Sequence, residues 1–545
     1  METSTFPAFT EKKLFPFLVI FGVSFLTYFQ VYTFDFCYDD FYSVLPIQDV
    51  EKLSSILRYF TEPVLFLELE SGKMQPLSYY RPVATSTLTI DFFLFGKENP
   101  GWLHIENLLI HTLNCSIFFL ICRELLGKTF VAVCAACLYV VFPLSTEIVS
   151  IYHYRVDLVT SFFIFLTLFV TLKNTEKYWT WQVAALFLCA MLCKESAISL
   201  LLLIPLFRHF RHELPKPQEL FIVLGIPMLI YWPLRYNALG SFLHPKTNYV
   251  IDDFFLSVST GERLLYVLES FWQKCFYILS PYSISPKVLV IADSSHVLAI
   301  LGFALLLTLT VAGLLYLKRK NLVFLLSGAI LISWFPVSSI LIPIPDFVSP
   351  RLFYYPSPWI VLLLVVLLLR IPQNYVKVTL ITMLLLTWTS ASYVQKTWNK
   401  NNLTKSLGIL SFNPYALDAT MVAAEEFFRV KNYSQAIVYY NNALVIMQAG
   451  EKGLKHRKAR PALKKLAETY LRLNNTKKAL FVLKMAKLNY PKEGVFYYLT
   501  AVVHLTDGNE EKAEQSINEG LLNATDFQQL HETFEKVKVR KKQEN

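Results

Sequence analysis

Residues 14–34 read LFPFLVIFGVSFLTYFQVYTF, and DFCYDD follows at 35–40. The first stretch has no charge and is long enough to cross a bilayer, which needs about 20 apolar residues. Lys12 and Lys13 precede it, and no small-residue cleavage site follows, so it is expected to remain as a first membrane span. Further apolar runs lie near 102–122, 129–146, 157–172, 179–193, 196–207, 218–236, 296–317, 322–342, 354–369 and 374–394. The expected fold is therefore all-α: a polytopic membrane domain of about eleven helices over 1–395, followed by a soluble helical domain over 411–545.

Composition agrees. Of 545 residues, 54% are hydrophobic and only 17% charged, with 44 Phe and 30 Tyr. A soluble chain carries about 25% charged residues. Collagen-like, disordered and disulfide-scaffold classes are excluded by the 17 Gly, the aromatic content and the 8 Cys. Most of these cysteines sit in apolar runs as small buried hydrophobes; Cys134 and Cys137 have no second pair to complete a metal site.

Short loops with Lys12/Lys13, Arg123/Lys128, Lys173/Lys177, Arg208/Arg211/Lys216, Lys318-Arg319-Lys320 and Arg370/Lys377 fall on one side if there are eleven spans. The positive-inside rule makes that side cytoplasmic. The segments 35–101 and 237–295 and the C-terminal domain then lie on the outer face, in an ER lumen or a periplasm. Arg263–Pro281 is apolar but holds Glu269 and Lys274, which suits a helix lying along the interface.

The C-terminal part repeats. Ala436, Tyr440 and Ala443 share a spacing with Ala479, Leu483 and Ala486 and with Ala513, Ile517 and Gly520. The last two sets are 34 residues apart, the tetratricopeptide period. Residues 401–545 hold 22 Lys and Arg against 15 Asp and Glu. On the outer face this basic character, including Glu451–Arg460 and Lys536–Lys542, suits a solvated surface or lipid head groups rather than nucleic acid.

Charged groups at a membrane are costly and therefore candidates for function. Five clusters fall on the outer face: Asp39-Asp40 after the first span; Arg81 with the polar stripe His104, Asn107 and His111; Glu147 with Arg155 and Asp157; Lys194-Glu195; and Arg351 with Tyr354. Adjacent carboxylates can divide labour, one as base and the other as its orienter; they also suit the watery end of a span. The His/Asn stripe equally suits interhelical hydrogen bonding. Arginine matches phosphate geometry, so Arg81, Arg155 and Arg351 are candidate phosphate ligands.

These motifs, in this order, resemble the GT-C superfamily of polyprenyl-phosphate-dependent glycosyltransferases, and within it the TMTC-type protein O-mannosyltransferases. The resemblance rests on Tyr38-Asp39-Asp40-Phe41, Tyr80-Arg81-Pro82-Val83, His104-Ile105-Glu106-Asn107 with His111, Pro143-Leu144-Ser145-Thr146-Glu147-Ile148-Val149, Arg155-Val156-Asp157-Leu158, Lys194-Glu195-Ser196 and Arg351-Leu352-Phe353-Tyr354-Tyr355-Pro356-Ser357. Phe142 and Pro350 stand where the family usually has His and Glu. The resemblance implies inverting transfer of a sugar, mannose above all, from a polyprenyl or dolichyl phosphate carrier to Ser/Thr hydroxyls of a protein. It implies Asp39 as general base assisted by Asp40, and Arg351, Arg155 and Arg81 at the donor phosphate. The sugar and acceptor pocket would draw on His104, Asn107, His111, Glu147, Asp157, Lys194, Glu195 and Tyr354. No nucleotide cofactor and no metal are expected, and the repeats would grip the acceptor. Two alternatives are a transferase acting on a lipid or cell-envelope glycan and a non-catalytic scaffold displaying the repeats.

Overall fold

The computed structural model describes residues 13–47, 49–64, 66–68, 74–76, 79–173, 179–211, 215–242, 259–284, 296–316, 321–342, 344, 349–450, 453–456 and 458–524. Lys12, Lys177, Lys318-Arg319-Lys320, Lys536–Lys542, and 243–258 and 285–295 of the second long outer segment lie outside these residues. The chain divides into two compact units, 1–401 and 402–545. The helix Asn402–Phe412 falls in the second unit, so that unit starts before residue 411.

Among the described residues the regular structure is helical, apart from a short antiparallel pair, Phe66–Glu68 with Met74–Pro76. Among the described residues, six helices are long and apolar enough to cross a membrane: Phe15–Thr33, Pro100–Leu126, Tyr152–Lys173, Pro217–Leu239, His296–Leu315 and Asn374–Trp398. The protein is a multi-pass membrane protein.

The other apolar runs fall short of full-length helices, for identifiable reasons. Run 129–146 is broken: Thr129–Val140 and Pro143–Ser150 meet at 51°. Pro143 lacks an N–H and pushes Phe142 to an extended ψ of 121°. Run 354–369 begins its α-helix only at Ser357, after a 3-10 turn over Pro350–Phe353. Run 196–207 likewise opens as a 3-10 turn over Glu195–Ser199 before Leu200–Phe210. Trp179–Cys193 and Leu322–Val337 are also shorter apolar helices.

One helix was not expected. Pro82–Phe95 lies inside the segment read as an outer loop, and it buries Asp91. That carboxylate interrupts the apolar run and hides the helix from a hydropathy reading. Arg263–Pro281 overlaps the helix Thr260–Phe276, which is opened by a Ser259/Glu262 capping box. It buries Tyr266, Val267 and Phe271, and also Lys274.

Close packing holds the first span. At Gly101 an added Cβ would sit 2.2 Å from the Tyr32 carbonyl oxygen. Ser24 and Thr112 join the same two helices by a 2.7 Å hydroxyl–hydroxyl bond.

In the second unit, successive helices Leu417–Arg429, Tyr433–Ala449, Ala459–Arg472, Thr476–Asn489, Gly494–Thr506 and Glu510–Asn523 pack mainly on their neighbours in sequence. The turn within each pair is made the same way three times. A residue with positive φ (Lys431 at 61°, Asn474 at 53°, Gly508 at 78°) precedes an Asn. That Asn, at 432, 475 and 509, caps the next helix by accepting the N–H of Gln435, Lys478 and Lys512. The periodic residues Ala436, Tyr440, Ala443, Ala479, Leu483, Ala486, Ala513 and Ile517 are buried.

Candidate active site

Asp39 and Asp40 open a short helix, Asp39–Ser43, directly after the first span. Tyr38 before them has φ 48°, a strained conformation for a non-glycine residue. It turns the chain so that the two carboxylates face different surroundings. Asp40 is 0% exposed; its oxygens accept the N–H of Cys37 at 2.8 Å and of His153 at 2.6 Å. It fixes two backbone segments. Asp39, with a side chain 39% exposed, accepts from Arg351 Nη1 and from the Tyr154 hydroxyl, both on Oδ2 at 3.1 Å. The Arg351 guanidinium also stacks on the Tyr154 ring, 4.4 Å from its centroid. Residues from three distant parts of the chain therefore meet at Asp39.

A second group of charges lies beside the first. Lys194 Nζ donates to Asp157 Oδ1 at 2.5 Å. Burial draws the Lys194 ammonium below its usual range against the pull of Asp157, and Arg81 and Arg351 are near enough to lower it further. Glu195 accepts from Arg81 Nη2 on one oxygen at 3.3 Å and from Arg235 Nη1 on the other at 3.1 Å. Burial opposes ionisation of Glu195, but Arg81 and Arg235 outweigh it and hold the carboxyl below its usual range. Arg235 belongs to this charged group and was not singled out from the sequence. Its signal was weak, a lone Arg near the end of an apolar helix.

Arg155 requires a correction. It is 1% exposed, and its fork is fully engaged: Nε with Asn107 at 2.7 Å, Nη2 with the Leu103 carbonyl at 3.1 Å, and Nη1 with Glu106 at 3.0 Å and with Asp91. A guanidinium so buried and occupied ties helices together and does not reach a donor phosphate. Asp91, which also accepts from the Tyr152 hydroxyl, is the reason: its carboxylate is buried on the unexpected helix and needs a cation.

The polar stripe also faces inward rather than into a pocket. His104, Asn107 and His111 are all fully buried. Asn107 donates to the Ile151 carbonyl at 3.1 Å, and His104 Nε2 meets the Asp35 carbonyl at 3.3 Å. His111 Nε2 faces the Val140 carbonyl, so it carries the proton, and Nδ1 accepts from the Tyr354 hydroxyl at 2.7 Å. Tyr354 is equally buried and also accepts from Asn114. His111 and Tyr354 thus lock the Pro100–Leu126 helix to the segment that carries Arg351. Glu147 lines a narrow cleft with Thr146, Pro350, Gln395, Trp398 and Asn399. Among the described residues, no three His, Cys, Asp or Glu side chains converge as metal ligands.

Together, fold and site define a multi-pass membrane protein with a charged, carboxylate-bearing centre built from the ends of its helices and the turns between them. The chain is similar in sequence to the TMTC-type protein O-mannosyl-transferases. It shares 29% identity over 208 residues with protein O-mannosyl-transferase tmtc2 of Xenopus laevis, covering 36% of this chain and 24% of that protein. It shares 26% over 224 residues with human TMTC2, covering 38% and 26%, and 26% over 218 residues with mouse TMTC3, covering 39% and 22%. The matched stretch spans about a quarter of these relatives' length. No family model and no solved structure matches the chain.

Proposed function

We propose that the protein is a membrane glycosyltransferase that moves mannose from a dolichyl or polyprenyl phosphate to Ser/Thr hydroxyls of a protein acceptor, with inversion. The observation that carries this reading is the Asp39 carboxylate, partly open to solvent and held by Arg351 and Tyr154 beside a cluster of further cations. The names of the similar proteins supply the sugar and the protein acceptor.

An alcohol is a weak nucleophile, so a base must take its proton as the new bond forms. Asp39 accepts that proton. The acceptor oxygen bonds to the anomeric carbon from the face opposite the phosphate, the bond from that carbon to the phosphate oxygen breaks, and the electron pair leaves with the lipid phosphate. Arg351 and Arg81 stabilise the charge growing there, with Lys194 and Asp157 at the edge of the sugar site. Asp40 positions Asp39 through the backbone. The reaction uses no metal and no nucleotide cofactor.

The six long helices, the bent pair and the shorter apolar helices Trp179–Cys193, Leu200–Phe210, Leu322–Val337 and Ser357–Leu368 make eleven crossings. The N-terminus is then cytoplasmic, and the site and second unit face the ER lumen or periplasm. The second unit is a short tetratricopeptide array that binds the acceptor, a reading supported by the turn made the same way three times.

The test is sugar transfer by purified protein in detergent, from dolichyl- or undecaprenyl-phosphate mannose to a Ser/Thr-rich peptide, with and without chelator. Transfer that persists with chelator and is lost in Asp39→Asn supports the proposal. Equal transfer by wild type and Asp39→Asn removes Asp39 as the base.

A further inference from the structure

Three consecutive residues, Tyr152, His153 and Tyr154, form the 3-10 turn that leads into the helix Arg155–Lys173. Each is held in place. The Tyr152 hydroxyl donates to Asp91 at 2.9 Å, the His153 backbone N–H to Asp40 at 2.6 Å, and the Tyr154 hydroxyl to Asp39 at 3.1 Å. The His153 ring packs edge-on against the Tyr154 ring, with centroids 5.8 Å apart. Backbone and ring are therefore seated, yet the His153 Nδ1 is buried and has no hydrogen-bond partner among the described residues. A buried polar nitrogen normally has one.

The charges that act on this ring come from both groups of the site: Asp39 and Arg351 from one, Arg81 and Asp157 from the other. Asp39 is the proposed base and marks the acceptor oxygen; Arg351 and Arg81 are the proposed phosphate ligands. In an in-line displacement the transferred sugar lies between that oxygen and that phosphate. A side chain close to both groups therefore stands beside the sugar. Its chemistry fits as well. In a neutral imidazole, Nδ1 is a donor in one tautomer and an acceptor in the other. A sugar hydroxyl answers either, whereas the oxygens of an ionised phosphate only accept.

We infer that His153 is a sugar-contacting residue, whose Nδ1 shares a hydrogen bond with a hydroxyl of the transferred hexose and not with the phosphate. This rests on the proposed function, and the experiment separates the two. Full-length protein in detergent is titrated with dolichyl phosphate mannose and with dolichyl phosphate, which keeps the phosphate and lipid but has no sugar. His153→Leu and His153→Asn form a matched pair, since Leu has the branched shape of Asn without its polar atoms. His153→Leu is expected to weaken binding of the mannosyl lipid about tenfold, the size of one buried hydrogen bond left unmade, with dolichyl phosphate binding unchanged. His153→Asn keeps a polar atom at the δ position and should recover most of the loss. A merely structural role predicts equal losses in the two variants; a phosphate contact predicts equal losses on the two lipids. Either result overturns the inference, as does wild-type affinity for the mannosyl lipid in His153→Leu or wild-type protein that does not bind it. If His153→Leu does not fold, His153→Phe, which keeps a ring against Tyr154, takes its place. If wild-type protein binds the mannosyl lipid but transfers no mannose to a Ser/Thr-rich peptide, the proposed function fails while the binding series still decides the role of His153.

Discussion

Arg351 donates to Asp39 across 3.1 Å although 312 positions separate them in the chain. The Tyr154 hydroxyl shares the same carboxylate oxygen, and the Tyr154 ring supports the guanidinium. In the proposed reaction, Arg351 and Tyr154 would orient the base through one carboxylate oxygen.

Asp39→Asn should reduce transfer by about 10²- to 10⁴-fold, the contribution of a general base. The melting temperature in detergent should stay within a few degrees of wild type, because Asn can still accept from Arg351 and Tyr154. Single-turnover assays and thermal unfolding on the same preparation check both parts.

Asp40→Asn is expected to act mainly through stability. Both oxygens of Asp40 accept backbone N–H groups, and an amide would turn its NH2 towards one of them. A buried donor left without an acceptor costs about 1–3 kcal/mol. Thermal unfolding should show a lower midpoint for Asp40→Asn than for Asp39→Asn; the reverse order would contradict the division of roles between the two carboxylates.

Arg155→Met should destabilise the membrane unit by about 3–5 kcal/mol, since Asp91 and Glu106 would lose a buried partner. Whatever folded protein remains should have an unchanged donor KM, because Arg155 lies behind the site. A selective rise in donor KM without loss of stability would return Arg155 to the phosphate.

Gly101→Ala is expected to force the first span off the Pro100–Leu126 helix, since its Cβ would meet backbone rather than a flexible side chain. The cost should be about 1–3 kcal/mol, read as a lower unfolding midpoint. Gly22→Ala has nothing within 4 Å to meet and serves as the neutral control.

Acidification provides a test of the arginine pair on Glu195. Its folded-state pKa is lowered, so the stability it contributes is present above the ordinary value of 4.5 and is lost as pH falls through the folded value. Wild-type protein should therefore lose stability more steeply below about pH 4.5 than Glu195→Gln. Parallel slopes would show that the pair does not hold the carboxylate in this way.

The sequence by itself determined the class of protein. Uncharged runs such as 14–34 leave no alternative to a lipid environment, and they also located five charged clusters at helix ends. The asparagines that make the repeated turns in the second unit, Asn432, Asn475 and Asn509, were not singled out from the sequence, although capping is a local interaction between a side chain and the N–H three residues on. Only the tertiary structure decided which charged residues keep a partner outside the core. Arg155 and Arg351 look alike in sequence, each beside tyrosines at the end of an apolar run. One is occupied by Asp91 and Glu106, and the other pairs with a carboxylate open to solvent. The helix Pro82–Phe95 makes that difference, because it brings a buried carboxylate to Arg155 and must be neutralised there. Arg235 was hidden for the same reason: its partner Glu195 lies 40 positions earlier in the chain, and the pairing of charges across helices is fixed by packing, which no local pattern of residues encodes.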